Sequence, residues 1–141
     1  MSRDLHNNIN VDTLGVYPQA VGTTGSANGV STAAIDRLGY DGVEFIFGYG
    51  TIPSTTETIT PVVTESDAST GGFTSVADAD LIGTEAAASF TYADDNKTKS
   101  IGYRGTKKYV RAKYTPANNT GNLFLAGIWR VRPRQQPGSA S

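Results

Sequence analysis

His6 is the only histidine in this sequence of 141 residues, and it is the first side chain to consider as a catalyst or a metal ligand. The sequence contains no cysteine. Ser-His-Asp and Cys-His sites need a histidine beside a nucleophile, and zinc sites draw most of their ligands from histidine and cysteine. The sequence therefore lacks the residues for a complete site of these kinds. We interpret His6 as an ordinary polar residue near the N-terminus.

Paired carboxylates offer a second route to chemistry, because glycosidases place two such groups across a glycosidic bond. The candidates are Glu65 with Asp67, Asp78 with Asp80, and Asp94 with Asp95. Loop carboxylates can also bind Ca²⁺ through oxygen. All three pairs lie in turn-like sequence, without an aromatic cluster to line a sugar subsite and without EF-hand spacing. We interpret them as solvated loop residues and predict no enzyme, no catalytic residue, no bound metal and no cofactor.

Charge is divided sharply along the chain, although the net charge is only -1. Residues 1–96 contain all 13 acidic residues and two basic ones, for a net charge of -11, whereas residues 97–141 contain ten basic residues and no acid, for +10. One interpretation is a dipolar surface whose basic pole binds a partner of opposite sign. The alternative is that strands from the two parts pair in one sheet and neutralise each other.

The basic part supplies most of the side chains that we predict to bind a partner. These residues are Arg3, Lys107, Lys108, Arg111, Lys113, Arg130, Arg132 and Arg134. Nucleic acid is one partner to consider, because aromatic residues interleave with basic ones between Tyr103 and Lys113, as in single-strand binders. The acidic part of the same compact body would repel phosphates, so nucleic acid is not the partner that we expect.

The elements that hold these side chains are predicted to be strands, because apolar residues alternate between closely spaced turn signals. The clearest strands are residues 42–49, 58–65, 107–115 and 122–131, and shorter ones are 6–11, 30–35, 88–92 and 97–103. Pro61 cannot donate to a ladder, which indicates an edge position or a bulge. One helical turn is expected near residues 77–81.

We therefore predict an all-β fold, a β-sandwich or jelly roll of roughly eight short antiparallel strands with extended termini. The predicted organisation is an N-terminal arm or edge strand at residues 1–12, a single β-sandwich domain at 13–132, and a flexible tail containing proline at 133–141. The glycine-rich residues 22–29 are expected to form a loop. No apolar run approaches the length of a membrane span, so we expect no contact with a membrane.

Several segments of the sequence resemble small proteins that tailed bacteriophages and prophages encode beside the major capsid protein. They are the opening MSRDLHNNI, IDRLGYDGVEFIFGYG at residues 35–50, residues 65–87 apart from position 70, KSIGYRGTKKYVRAKYT at 99–115, and the tail RPRQQP. These segments look like those of head decoration or cement proteins. The resemblance implies a β-sandwich on the outer face of an HK97-type shell, made in the host cytoplasm, that stabilises the shell by bridging neighbouring major capsid subunits. It also implies self-association, as a homodimer or else a trimer.

Two other functions stay open at this point. An exposed virion module could bind host glycans through Tyr40, Tyr49, Tyr92 or Trp129, although Trp129 lies in the most apolar run and is expected in the core. The other is nucleic-acid binding in the phage head by the basic part of the chain.

Overall fold

The protein is described by a computed structural model that covers residues 4–11, 19–21, 30–38, 40, 42–121 and 123–133. Within these ranges the chain forms two antiparallel β-sheets that enclose a shared hydrophobic core. This architecture confirms the predicted all-β sandwich. None of the helices in the described part of the chain is long and apolar enough to cross a membrane.

The described ranges contain twelve strands, one short α-helix and two 3₁₀ turns. The helix α1 is Leu5–Asn8, and the 3₁₀ turns are Asp78–Asp80 and Tyr92–Asp94. The strands are β1 (Ile9–Val11), β2 (Gln19–Val21), β3 (Val30–Ser31), β4 (Ile35–Asp36), β5 (Val43–Tyr49), β6 (Thr58–Ser66), β7 (Thr74–Ser75), β8 (Leu81–Ile82), β9 (Phe90–Thr91), β10 (Thr98–Tyr103), β11 (Tyr109–Ala117) and β12 (Leu123–Pro133).

The first sheet has the strand order β1, β12, β5, β10, β8, and β2 also pairs with β12. Its central strand is β5, in which Val43, Phe45 and Phe47 are buried while Glu44 and Ile46 between them are half-buried on the other face. This alternation follows from the two-residue repeat of a strand. The first sheet therefore has one face in the core and one face toward solvent.

The second sheet has the order β3, β11, β6, β7, with β4 also paired to β11 and β9 to β6. Along one side β6 pairs with β11 over its whole length. Along its other side β9 pairs with Thr58 and Ile59, and β7 pairs with Thr64 and Glu65. Pro61 lies in the gap between these short partners. β6 is therefore an inner strand with a continuous register, and not the edge strand or bulge that Pro61 indicates from sequence.

The core is formed by the facing sides of the two sheets. Phe45, Ile101 and Ile128 of the first sheet and Val63 and Val110 of the second are completely buried. The predicted burial of Val110, Ala112 and Tyr114 on one face of β11 is confirmed. Burying such side chains contributes roughly 1.5–3 kcal/mol each, so these faces fix the register of both sheets.

Several predicted elements differ in detail from the structure. The segment 6–11 begins as α1 and only then becomes β1, because Asp4 accepts a hydrogen bond from the Asn7 backbone at 3.1 Å and caps a helical turn. The segment 30–35 is divided into β3 and β4. The predicted helical turn near 77–81 is present as the 3₁₀ turn Asp78–Asp80. Residues 22–29 and 134–141 lie outside the described residues.

Candidate functional site

Two basic residues immediately before β11 lie beside acidic residues from the earlier part of the chain. Lys107 Nζ is 2.5 Å from Asp67 Oδ2, and Lys108 Nζ is 3.9 Å from Asp36 Oδ2. The hydrogen bond between Lys107 and Asp67 raises the pKa of the lysine and lowers that of the carboxyl. These pairs form because β11 lies next to β6, β3 and β4. The two oppositely charged parts of the chain thus neutralise each other locally, as the cross-strand alternative predicts.

Arg111 and Lys113 occupy the outer face of β11 but differ in their surroundings. The guanidinium of Arg111 lies 4.1 Å from the centre of the Phe73 ring, and its Nε donates to Thr64 Oγ1 at 3.3 Å. Lys113 is exposed, opposite Val62 of β6. Of the predicted basic contacts on this strand, Lys113 is therefore the side chain that projects most freely into solvent.

The remaining predicted basic contacts do not join this group. Arg130 is only 8% exposed, and its Nη1 donates to the backbone oxygen of Ala33 at 3.2 Å. A buried guanidinium cannot present itself to a partner, so its prediction as a surface contact does not fit its position. The backbone of Arg132 pairs with Asn10 of β1. Arg3 and Arg134, and the side chain of Arg132, lie outside the described residues.

The outer face of the first sheet carries a row of side chains that crosses five strands. Directly opposite residues link Val11 to Val131, Val131 to Glu44, Glu44 to Gly102, and Gly102 to Ile82. Opposite residues of an antiparallel pair share one face. Val11 is 58% exposed and Ile82 is 57% exposed, so the row is an apolar strip with one carboxylate near its middle.

A groove of about 280 Å³ includes three residues of this strip, Glu44, Ile82 and Val131. It is lined by Ile9, Gly42, Val43, Glu44, Ile82, Tyr103 and Val131. A Cβ atom on Gly102 would lie 2.6 Å from Glu44 Oε2 and 2.9 Å from Ile82 Cβ. The missing side chain at Gly102 therefore lets the Glu44 carboxylate lie across the sheet.

Sequence reasoning did not identify this strip as a site. The sequence does contain one sign of it. Glu44 and Ile46 alternate with the buried residues of β5 and so lie together on its opposite face. That pattern shows a second, partly apolar face, but the neighbours that extend it come from β1, β8, β10 and β12. Only the strand register brings them together.

A second depression, of about 430 Å³, lies beside the turn between β6 and β7. Its lining includes Glu65, Asp67, Gly71, Gly72 and Lys107. Two of its charged side chains, Lys107 and Asp67, form a salt bridge with each other. These two charges are therefore already paired within the protein.

The aromatic residues predicted for glycan binding lie in different environments. Tyr49 is 3% exposed, and its ring is 4.6 Å from that of Phe90 and 5.3 Å from that of Tyr114. Its prediction as a glycan contact is wrong, because its ring belongs to the core. Tyr40 is half-buried, whereas Tyr92 is 48% exposed. The side chain of Trp129 lies outside the described residues.

The carboxylates at residues 94 and 95 hold the backbone of their own region. Asp94 Oδ2 accepts hydrogen bonds from the Thr91 backbone at 3.0 Å and from Lys99 Nζ at 3.1 Å, and the pKa of Asp94 falls to about 2. Asp95 Oδ1 accepts from the Ile52 backbone at 2.7 Å. The interpretation of this pair as solvated loop residues is wrong, because both carboxylates bind the protein. In the described ranges no three residues among His, Cys, Asp and Glu converge as a metal-binding group.

Comparisons with known proteins give structural neighbours alone. No family model matches the sequence, and no curated protein matches it. A chain of Clostridium thermocellum endo-1,4-beta-D-xylanase 10B, with CBM22-1 and GH10 modules and bound xylohexaose, aligns with a TM-score of 0.42 at 13% identity, over 96% of this protein and 28% of that chain.

Two further neighbours are carbohydrate-binding modules. A family 35 module from Clostridium thermocellum has a TM-score of 0.43 at 10% identity, over 88% of this protein and 87% of that chain. A CBM32 structure from Clostridium perfringens has a TM-score of 0.37 at 10% identity, over 95% and 97% of the two chains. The assignment of this protein as a two-sheet antiparallel β-sandwich rests on its own strand pairing.

Proposed function

We propose that this protein is a head decoration protein of a tailed bacteriophage, which binds the outside of the capsid shell and bridges neighbouring major capsid subunits. The phage assignment derives from the sequence resemblance described above. The observation that supports a binding role is the apolar strip around Glu44, in which Val11 and Ile82 are exposed and Val131 is half-buried. A contiguous apolar patch on a soluble domain commonly marks a protein interface.

The strip is a better contact surface than the basic residues of β11. Lys107 and Lys108 already bind Asp67 and Asp36, and Arg111 lies against Phe73. A partner for the strip would supply apolar side chains around one cation, which would pair with Glu44 in the groove. Such a contact combines apolar burial with a single charged pair that sets orientation.

Repetition would strengthen a modest individual contact. A decoration protein that self-associates, as a homodimer or else a trimer, presents several copies of one surface to a repeating shell. Binding through linked copies raises the effective affinity without any new contact. Stabilisation of the shell then follows from holding neighbouring subunits in fixed positions.

The experiment compares phage heads with and without the protein during heating and osmotic shock. The protein is expected to raise shell survival and to sediment with empty heads. Glu44→Lys should lower its affinity for heads by about tenfold, because it places a cation where the partner's cation must bind. Asp78→Lys makes the same charge change at an exposed 3₁₀ turn and should bind normally.

Circular dichroism of both variants establishes that they are folded before binding is compared. Equal survival of shells with and without the protein would contradict the proposed function. Equal binding by the two lysine variants would instead remove the apolar strip as the contact surface.

A second candidate function is glycan binding on the virion surface. Two of the structural neighbours are carbohydrate-binding modules, but TM-scores of 0.43 and 0.37 do not transfer that activity. The candidate rests on Tyr92, a residue that is 48% exposed and could stack on a sugar. A glycan array tests it: binding that is lost in Tyr92→Ala supports this function, and an array without signal removes it.

A further inference from the structure

The last strand of the first sheet ends beside the groove on the outer face of that sheet. Pro133, the final residue of β12, pairs with Ile9 of β1. Ile9 lines the groove together with Val131, which lies two residues before the end of β12. Residues 134–141 follow directly after Pro133 in the sequence. The chain therefore enters this segment at the rim of the groove.

The groove is apolar apart from one carboxylate. Among the described residues that line it, Glu44 is the only one with a charged side chain. A Cβ atom at Gly102 would lie 2.6 Å from Glu44 Oε2 and 2.9 Å from Ile82 Cβ, so the carboxylate and the isoleucine are close neighbours above Gly102. Covering a carboxylate is costly unless a cation pairs with it. An occupant of this groove therefore needs one cation among apolar atoms.

Residues 134–141 have this composition. Their sequence is RQQPGSAS, in which Arg134 is the only charged side chain and Pro137 supplies an apolar ring three residues later. The guanidinium of an arginine can pair with a carboxylate through two parallel N–H donors, and its aliphatic stem packs on apolar surface. The segment therefore matches the groove in the sign and in the number of its charges.

The segment is also long enough to lie across the first sheet. The strand order β12, β5, β10, β8 separates Val131 from Ile82 by three strand spacings, which amount to about 14 Å. The eight residues 134–141 span at most about 26–29 Å when fully extended. The segment of one chain can therefore reach Ile82 of the same chain, without a second copy.

Attachment to the same chain makes a weak contact effective. One ion pair and a small apolar contact give only a low affinity between separate molecules. A short tether raises the effective concentration of the segment to about the millimolar range. Glu44 is half-buried, so salt screens a pair with it less than a fully exposed pair. These conditions favour the segment of the same chain over that of another molecule.

We propose that residues 134–141 bind in the groove of their own chain, with the Arg134 guanidinium paired to the Glu44 carboxylate and Pro137 against Ile82. The segment then covers part of the apolar strip. One consequence rests on the proposed function: the cation of the capsid partner displaces Arg134 from Glu44 when the protein binds the shell. The binding of the segment in the groove does not depend on that function.

A spin label on the segment tests its position in the complete chain. The sequence contains no cysteine, so Ser139→Cys gives a single attachment site for a nitroxide. The label should broaden the amide signals of Glu44 and Ile82 severalfold more than those of Thr60 and Thr115, which pair in the second sheet. Equal broadening of the two groups of signals would overturn the proposal.

A mixed sample separates binding within one chain from binding between copies. Isotope-labelled chains without the nitroxide are mixed with unlabelled chains that carry it, so only contacts between molecules broaden the observed signals. The signals of Glu44 and Ile82 should remain sharp. If they broaden as strongly in the mixture as within one molecule, the occupant of the groove is a second copy and the proposal is wrong.

Charge reversal tests the ion pair. Arg134→Glu and Glu44→Arg should each reduce the broadening at Ile82 by about half or more, because like charges then face each other. The chain with both substitutions should recover the broadening. Gln136→Glu is the control, because it adds a negative charge to the segment but retains Arg134, and it should have a smaller effect.

Equal losses in Arg134→Glu and Gln136→Glu, without recovery in the double variant, would contradict the pairing of Arg134 with Glu44. Circular dichroism establishes that each variant is folded. If Glu44→Arg does not fold, the comparison of Arg134→Glu with Gln136→Glu decides the result.

Binding to empty phage heads tests the displacement separately. If the segment covers the groove half of the time, its release in Arg134→Glu should raise the affinity for heads about twofold. Unchanged or weaker binding of this variant would contradict the displacement. Failure of the unsubstituted chain to bind heads would contradict the proposed function, and the broadening at Glu44 and Ile82 would still decide whether the segment occupies the groove.

Discussion

The hydroxyl of Tyr103 in β10 donates a hydrogen bond of 2.5 Å to Glu65 Oε2 in β6, and so links the two sheets of the sandwich. The same hydroxyl oxygen accepts a bond of 3.1 Å from the Lys107 backbone. Tyr103 is completely buried, and burial together with the bond to Glu65 raises its pKa. One phenol therefore joins the first sheet, the second sheet and the loop that leads into β11.

Tyr103→Phe is expected to lower the free energy of unfolding by about 1.5–3 kcal/mol, the usual cost of losing a hydrogen bond to a charged group. The ring and its packing remain, so the loss reports on the hydroxyl alone. Urea denaturation measures it. Tyr92→Phe, at a residue that is 48% exposed, is the matched control and should change little. Equal stabilities of the two variants would show that the link between the sheets contributes nothing.

Asp94 should make stability depend on pH in the acid range. The Thr91 backbone, then Lys99 and Lys97, hold its pKa at about 2, below the ordinary 3.8. The pKa of Asp94 is lower in the folded state than in the unfolded chain. The stabilisation is therefore fully present above about pH 4 and is lost as the pH falls toward 2. Asp94→Asn should flatten this part of the curve of unfolding free energy against pH. An unchanged curve would contradict the assignment, and Asp78→Asn serves as the control.

Gly102→Ala tests the groove on the outer face of the first sheet. The added Cβ would lie 2.9 Å from Ile82 Cβ, which adjoins the backbone and moves less easily than the end of the Glu44 side chain. We expect a loss of about 1–3 kcal/mol in unfolding free energy from overpacking. Gly71→Ala is the matched control, because a Cβ there meets nothing within 4 Å. Thermal unfolding that is equal for both variants would contradict the crowding at Gly102.

Arg111→Ala should destabilise the second sheet by roughly 1 kcal/mol, because it removes a guanidinium from the face of Phe73 together with the packing of its aliphatic stem. Lys113→Ala, on the same face of the same strand, removes an exposed side chain and should have a smaller effect. Calorimetry measures the unfolding free energy of both variants, and so compares the stacked guanidinium of Arg111 with the solvated ammonium of Lys113. A larger loss at Lys113 would reverse this assignment of roles.

Alternation along single strands predicted much of the fold. The buried positions Val43, Phe45 and Phe47 in β5, and Val110 and Ala112 in β11, follow directly from a two-residue repeat. These features depend on local sequence, which is why they could be read from it.

The candidate sites depend on pairing between distant segments, and local sequence does not specify that pairing. The strip around Glu44 needs the registers of four other strands. Arg130 reads as a surface cation within a basic segment, yet it is buried against Ala33, 97 residues earlier in the chain. Each depends on a contact that no sequence window contains.

The gap along β6 at Pro61 has a consequence for how copies of the protein meet. Pro61 has no amide proton to offer, and the next inward amide, that of Val63, already donates to Glu85 Oε1 at 3.0 Å. The Val63 carbonyl accepts from the Val76 backbone at 3.0 Å. An extended segment of another molecule therefore finds no run of open amides to pair with here. This side of β6 therefore gives another copy no template on which to extend the sheet.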